Sequence, residues 1–183
     1  MIIETERLIL RPFTDGDEND MYEYLKEPSV QCFDCMNLNS AEEAVKVINE
    51  RKEDEYCFAI ELKENGKVIG EIWGSPEASD PEQGDEDTVS PCWMLNENYQ
   101  RHGYMYEACV PYYEWLFTKK NVRRIYIYTE DYNVACQHLC MKLGMRKEGE
   151  FKEFVSFIKD ENGTPIYENT MQYAILKKEW EGR

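Results

Sequence analysis

The stretch Tyr99-Gln100-Arg101-His102-Gly103-Tyr104-Met105-Tyr106-Glu107-Ala108 constrains this chain more than any other. A strand-like run, Thr88–Leu95, precedes it, and a helical pattern follows it to residue 118. A glycine turn leading from a strand into a helix aims free backbone N–H groups outward at the positive end of the helix dipole. Such a turn is an anion cradle built from main chain, suited to phosphate. The loop lacks the lysine and second glycine of a nucleotide P-loop, and its single glycine cannot make the dinucleotide fingerprint. It therefore points to a phosphate-bearing cofactor other than a nucleoside triphosphate or NAD. Arg101 and His102 are the basic side chains within the loop.

Residues 7–11 alternate apolar and polar side chains, as a half-buried strand does. Residues 15–26 read as a helix with Thr14 or Asp15 at its start. Ser40 and Glu43 make a capping box for a second helix, with Ala41, Ala44, Val45 and Ile48 on its apolar face. Residues 56–62 and 67–73 form a hairpin at Asn65-Gly66. Residues 75–87 carry six acidic side chains in thirteen positions and read as a mobile surface loop that attracts cations.

Pro91 lacks a ladder donor and suits a bulge or an edge strand. Pro111 falls inside the helix after Gly103, where it should remove one hydrogen bond and bend the axis. A strand over 123–129 leads to a helix that Asn133 caps and Gly144 stops. Residues 151–159 and 169–176 make a last strand pair around Asp160-Glu161-Asn162-Gly163. The expected fold is mixed α/β: a twisted, mainly antiparallel sheet of seven strands with helices on both faces. At 183 residues the chain, 1–183, reads as a single domain.

A formal charge of −16 excludes binding nucleic acid through its phosphates. The same acidity either favours a cationic acceptor or serves only solubility. No apolar run is long enough for a membrane span, and the N-terminus lacks the layout of a secretory signal. Seven cysteines without that layout point to reduced thiols and a cytoplasmic location. Cys32-Phe33-Asp34-Cys35 has the spacing of a zinc pair, but no second such pair occurs and His102 and His138 lie far off, so no metal is expected. The aromatic residues Phe33, Tyr22 and Tyr24 either line an acceptor site or belong to the core.

Three segments in order carry a family likeness. They are the opening Glu4-Thr5-Glu6-Arg7-Leu8-Ile9-Leu10-Arg11-Pro12, the Gln100–Met105 loop, and the run from Asn133 to Lys142-Leu143-Gly144-Met145. Together they resemble the GNAT superfamily of acyl-CoA N-acyltransferases, most closely its ribosomal-protein-alanine acetyltransferases. The resemblance implies acetyl-CoA as cofactor, bound by a loop that includes Gln100, with the pyrophosphate on the backbone of Arg101, His102, Gly103, Tyr104 and Met105. It further implies a strand splayed from its neighbour to admit the pantetheine arm. An oxyanion donor would lie in the backbone of Trp93, Met94 and Leu95, and Asn133 would hold the arm. The acceptor would be a small-molecule amine or a protein N-terminus, and the assembly a monomer or homodimer.

Two positions depart from the family pattern. Met105 stands where a small residue lets pyrophosphate approach, and Cys136 stands where many relatives carry serine. These departures keep open an alternative, a non-catalytic acyl-CoA-binding or sensor domain.

Transfer to an amine needs a base, an oxyanion donor and an acid for the leaving thiolate. Glu71, among apolar neighbours on its strand, and Glu153, on a later one, are the rival bases, and either is equally a solvated strand carboxylate. Cys136, in the first turn of its helix, is the acid or a buried apolar filler.

Overall fold

The computed structural model describes residues 1–182 apart from 29, 81, 83 and 85, and of Gln31, Asp34 and Cys35 the backbone alone. Period-two alternation produces a single sheet of eight strands. These are β1 (Ile3–Glu4), β2 (Leu8–Arg11), β3 (Phe58–Leu62), β4 (Val68–Glu77), β5 (Thr88–Leu95), β6 (Arg124–Glu130), β7 (Arg146–Lys159) and β8 (Pro165–Leu176). Their order is β1-β2-β3-β4-β5-β6-β8-β7. Every neighbouring pair is antiparallel except β5 and β6, which run parallel. The eighth strand, absent from the expected seven, is β1, whose two residues are too short to show a period.

The helices are α1 (Glu18–Leu25), α2 (Ala41–Arg51), α3 (Tyr104–Thr118), α4 (Val134–Lys142) and α5 (Lys177–Trp180). Because side chains alternate across a strand, the sheet carries two cores. One packs Leu8, Ile60, Ile72 and Ile127 against α3 and α4, with Tyr112, Tyr113 and Phe117 wholly buried. The other packs Ala59, Val68 and Met94 against Met21 and Leu25 of α1 and Ala44 and Ile48 of α2. A 3-10 turn, Gln31–Met36, continues this second layer, with Phe33 and Met36 against it.

Several local expectations shift. Helix α1 begins at Glu18, because the Asp17 carboxylate takes the Arg11 guanidinium at 2.8 and 2.9 Å and the Thr14 N–H at 2.8 Å. Ser40 forms no side-chain cap; Glu43 reaches back to the Asn39 N–H instead, at 2.8 Å. Val45 is exposed, and Val47 takes its place in the core.

Residues Ser75 to Glu77 belong to β4, so the acidic loop is shorter than expected. Residues 81, 83 and 85 of that loop lie outside the described residues. Pro91 sits in unbroken register opposite Gly74, with no bulge. Helix α3 runs continuously through Pro111. Asn65-Gly66 makes its turn with Gly66 at φ +72°, and Gly144 ends α4 at φ +73°.

Candidate active site

Strands β5 and β6 pair only at Thr88–Arg124 and Val89–Ile125. Beyond Val89 they part, while β5 stays bonded to β4 as far as Leu95 opposite Gly70. The β6-facing edge of residues 90–95 therefore borders open space rather than a strand. A groove of about 960 Å³ occupies this fork and is lined from both faces of the sheet. Tyr24 and Phe33 come from the α1 side, Trp93, Met94 and Leu95 from β5, and Met105, Asn133, Cys136 and Leu139 from the α3 and α4 side.

The turn into α3 forms one end of the groove. Asn96 accepts the Asn98 N–H at 3.0 Å, and the Gln100 side chain donates to the Leu95 carbonyl at 3.2 Å. The chain then passes through Arg101 at φ +63° and Gly103 at φ +83°, the left-handed region that glycine adopts without steric cost. Gly103 caps α3 without any side-chain hydrogen bond, so the first N–H groups of a fifteen-residue helix face outward. This arrangement fits a pyrophosphate.

Gln100, Arg101, Gly103, Tyr104 and Met105 all line the groove; His102 does not. The His102 ring stacks on Tyr104 with centroids 5.8 Å apart, and its carbonyl accepts from Arg7 at 3.1 Å. The Met105 side chain turns into the core, leaving its backbone at the cradle.

Arg7 stands beside this turn, outside the groove lining, with its guanidinium paired to Glu107. Its guanidinium lies over the Tyr104 ring at 4.4 Å and would meet a Cβ added at Gly103 at 3.6 Å. This places a cation beside the anion cradle.

On the opposite wall, Asn133 caps α4 and accepts the Cys136 N–H at 3.1 Å. Cys136 faces the groove half-buried. A hydrogen bond from the Cys140 thiol, one turn on, holds its thiol below the ordinary cysteine value, against the opposing effect of burial.

The rival bases separate sharply. Glu71 is wholly buried on β4, opposite Met94, and bonds the Arg51 guanidinium. Burial pushes its carboxyl up to about 7, despite Arg51. Glu71 does not line the groove, but Tyr24 does. Tyr24 Oη and Glu71 Oε1 are both buried without a hydrogen-bond partner, and the Glu71 charge acts on the Tyr24 phenol.

Glu153 sits exposed at a register shift in β7, with φ +46° and its N–H donated to Asn169 Oδ1. It lies outside the groove, so the structure does not place it as a base. The physical reason is that the bulge turns Glu153 to solvent. Of the Cys32–Cys35 pair, Cys35 lies outside the described side chains, and Cys32 bonds Glu130. Two further buried carboxylates, Glu130 and Glu168, were not singled out by sequence.

The acetyltransferase (GNAT) domain family matches residues 7–146. The chain is 30% identical over 181 residues to an uncharacterized N-acetyltransferase, YnaD, of Bacillus subtilis (strain 168), covering 98% of this chain and 99% of that one. Its fold matches a GNAT-family acetyltransferase from Bacillus anthracis with a TM-score of 0.82 at 24% identity, over 98% of this chain and 100% of that one. It also matches ribosomal-protein-S5-alanine acetyltransferase from Vibrio fischeri with a TM-score of 0.71 at 20% identity, over 98% of each. No described helix is long and apolar enough to cross a membrane. With its forked sheet, its glycine-started helix and most of its length within the family match, the chain belongs to the GNAT family and is an acyl-CoA-dependent N-acetyltransferase.

Proposed function

We propose that the protein moves an acetyl group from acetyl-CoA to a primary amine by direct attack in a ternary complex, with residues 1–183 acting as one domain. The observation that carries this reading is the fork between β5 and β6, which opens beside the uncapped start of α3 at Gly103. Bound there, the cofactor would supply an acyl thioester.

The chain's own groups supply the rest. Backbone N–H groups from Arg101 to Met105 hold the pyrophosphate. Asn133, its Oδ1 engaged in the cap, keeps its amide N–H₂ for the pantetheine arm. The free edge of β5 at Trp93, Met94 and Leu95 offers a backbone donor to the developing oxyanion.

Glu71 takes the amine's proton, and a carboxyl near 7 suits that task; Tyr24, which lines the groove and feels the Glu71 charge, stands on the acceptor side. Cys136 stands on the wall where the thiolate leaves.

Incubation with acetyl-CoA and a panel of peptides and small amines, following free thiol and acetylated product, tests the reading. Calorimetric binding of coenzyme A and acetylation of at least one amine are expected. Absence of coenzyme A binding, or thiol release without acetylated product, overturns it.

A further inference from the structure

Helix α4 walls the groove from its cap to its last turn. Asn133, Cys136, Leu139 and Lys142 all line the groove at intervals of three residues, which sets them along one face of the helix. Asn133 and Lys142 therefore stand about 14 Å apart along the axis.

At the far end of that face, Lys142 meets the start of α3. Its Nζ lies 4.1 Å from the centroid of the Tyr106 ring. Tyr106 also lines the groove, and it packs against the main core, which makes the ring a fixed platform. The ring belongs to the first turn of α3, next to the outward N–H groups that follow Gly103.

Acidic side chains outnumber basic ones 37 to 21, so an exposed lysine here has carboxylates in excess to choose from. Among the described residues Lys142 nonetheless forms no ion pair and donates no hydrogen bond. Arg7, the cation over Tyr104 in the same turn, is by contrast paired to Glu107. Lys142 thus keeps its charge uncompensated in the groove wall, on an aromatic face that attracts the cation without neutralising it. A lysine is a point charge on a flexible stem, and it serves phosphate in that form.

With the pantetheine arm at Asn133 and the pyrophosphate on the backbone of Arg101 to Met105, the adenosine and its 3′-phosphate fall at the Lys142 end of α4. A phosphate monoester carries a charge of about −1.5 to −2 at neutral pH. We infer that Lys142, seated on Tyr106, binds the 3′-phosphate of coenzyme A, so that the groove distinguishes coenzyme A from 3′-dephospho-coenzyme A. The inference rests on the coenzyme A reading for the placement of the arm and the pyrophosphate.

Calorimetric titration of the protein with coenzyme A and with 3′-dephospho-coenzyme A tests this without turnover. Coenzyme A is expected to bind about tenfold tighter, with the difference shrinking as salt rises, because Lys142 is exposed. Lys142→Gln should lower coenzyme A affinity about tenfold and leave the dephospho form unchanged. Lys142→Arg should keep the discrimination, and Tyr106→Leu, which removes the ring beneath the ammonium, should lose part of it. Arg101→Gln, at the cradle itself, should weaken both ligands alike.

Equal affinity for the two ligands would overturn the inference. So would an equal loss for both in Lys142→Gln, which would assign the lysine to the packing of α4, or discrimination lost in Arg101→Gln and kept in Lys142→Gln. Equal binding accompanied by acetylation of an amine would refute the inference and leave the transfer reading standing. Discrimination that depends on Lys142, with no amine acetylated, would do the reverse, and binding of neither ligand would refute both.

Discussion

Arg7 and Glu107 lie one hundred residues apart and join the N-terminal strand to the first turn of α3. The Glu107 carboxylate accepts the Arg7 backbone N–H at 2.8 Å, the Arg7 guanidinium at 2.7 Å and the Thr5 hydroxyl at 2.6 Å. The opening Thr5-Glu6-Arg7 run therefore reads as a brace for the cofactor turn. Its acidic partner sits near the positive end of the helix, where a carboxylate is favoured.

Arg7→Ala should weaken coenzyme A binding by about tenfold, because it removes both a cation beside the cradle and the bond to the His102 carbonyl. Calorimetry on the folded variant measures this. Arg7→Lys should restore the charge but not the fork of bonds to Glu107, and should recover only part of the affinity. An unchanged affinity in Arg7→Ala would remove Arg7 from the site.

Gly103→Val should weaken coenzyme A binding by about tenfold or more. Its cause is backbone conformation, since φ +83° costs a β-branched residue about 1–2 kcal/mol while the space around an added Cβ is open apart from Arg7. Gly103→Asn, which tolerates this region, should retain more affinity than valine. Equal losses in the two variants would point to crowding instead.

Much of the scaffold was legible because it is local. Asn65-Gly66, the Asn133 cap, the Gly144 stop and the strand–Gly103–helix turn are each specified within a few residues. What was not legible depends on pairings made far along the chain. The groove exists because β5 meets β6 at two positions and then leaves it, and nothing within β5 records where β6 will lie.

The two bases looked alike in sequence, each a glutamate in a strand. Only the covering helices bury Glu71, and only a register shift in β7 exposes Glu153. Glu130 and Glu168 escaped notice for a similar reason: a charged residue in a strand reads as solvated until a neighbouring segment covers it.

Glu71→Gln should lower turnover by about a hundredfold or more while leaving coenzyme A affinity alone. Glu71 acts as a base only when ionised, and its carboxyl is pushed up to about 7. The wild-type rate should accordingly rise with pH through about 7 and then level, and Glu71→Gln should lack that limb. Tyr24→Phe should also lower turnover, whereas Glu153→Gln should change neither rate nor profile. A profile unmoved in Glu71→Gln would shift the proton transfer to another group.

Stability should fall as pH rises from 5 to 8. Burial raises the folded-state carboxyls of Glu71, Glu130 and Glu168 above their unfolded values. A raised carboxyl contributes stability that is full below its unfolded value and is lost as pH climbs through its folded value. For Glu71 that window runs from 4.5 to about 7, a loss on the order of 3 kcal/mol. Carboxylates held low by cations, such as Glu23 beside Lys67, titrate below this range and do not mask the trend. Thermal melts of Glu130→Gln should show a gain at pH 8 that shrinks toward pH 5. A gain independent of pH would mean that Glu130 is not ionised on folding.

Cys136 stands where the leaving thiolate would emerge, and two physical effects oppose each other there. The hydrogen bond from Cys140 favours its thiolate, and burial disfavours it, with the first prevailing. A thiolate cannot protonate another thiolate, so this downward shift weakens Cys136 as the acid and favours mixed-disulfide formation with coenzyme A under oxidation. Cys136→Ser keeps a hydrogen-bond donor at the groove wall and removes the redox chemistry. Its turnover should equal or exceed that of the wild type, and any coenzyme A adduct seen by mass spectrometry should vanish. Cys140→Ala removes the donor, so alkylation of Cys136 by iodoacetamide should require higher pH than in the wild type. Loss of most turnover in a folded Cys136→Ser protein that still binds coenzyme A would show that the thiol itself serves the reaction. An alkylation profile unmoved by Cys140→Ala would instead assign the low thiol value to the α4 dipole.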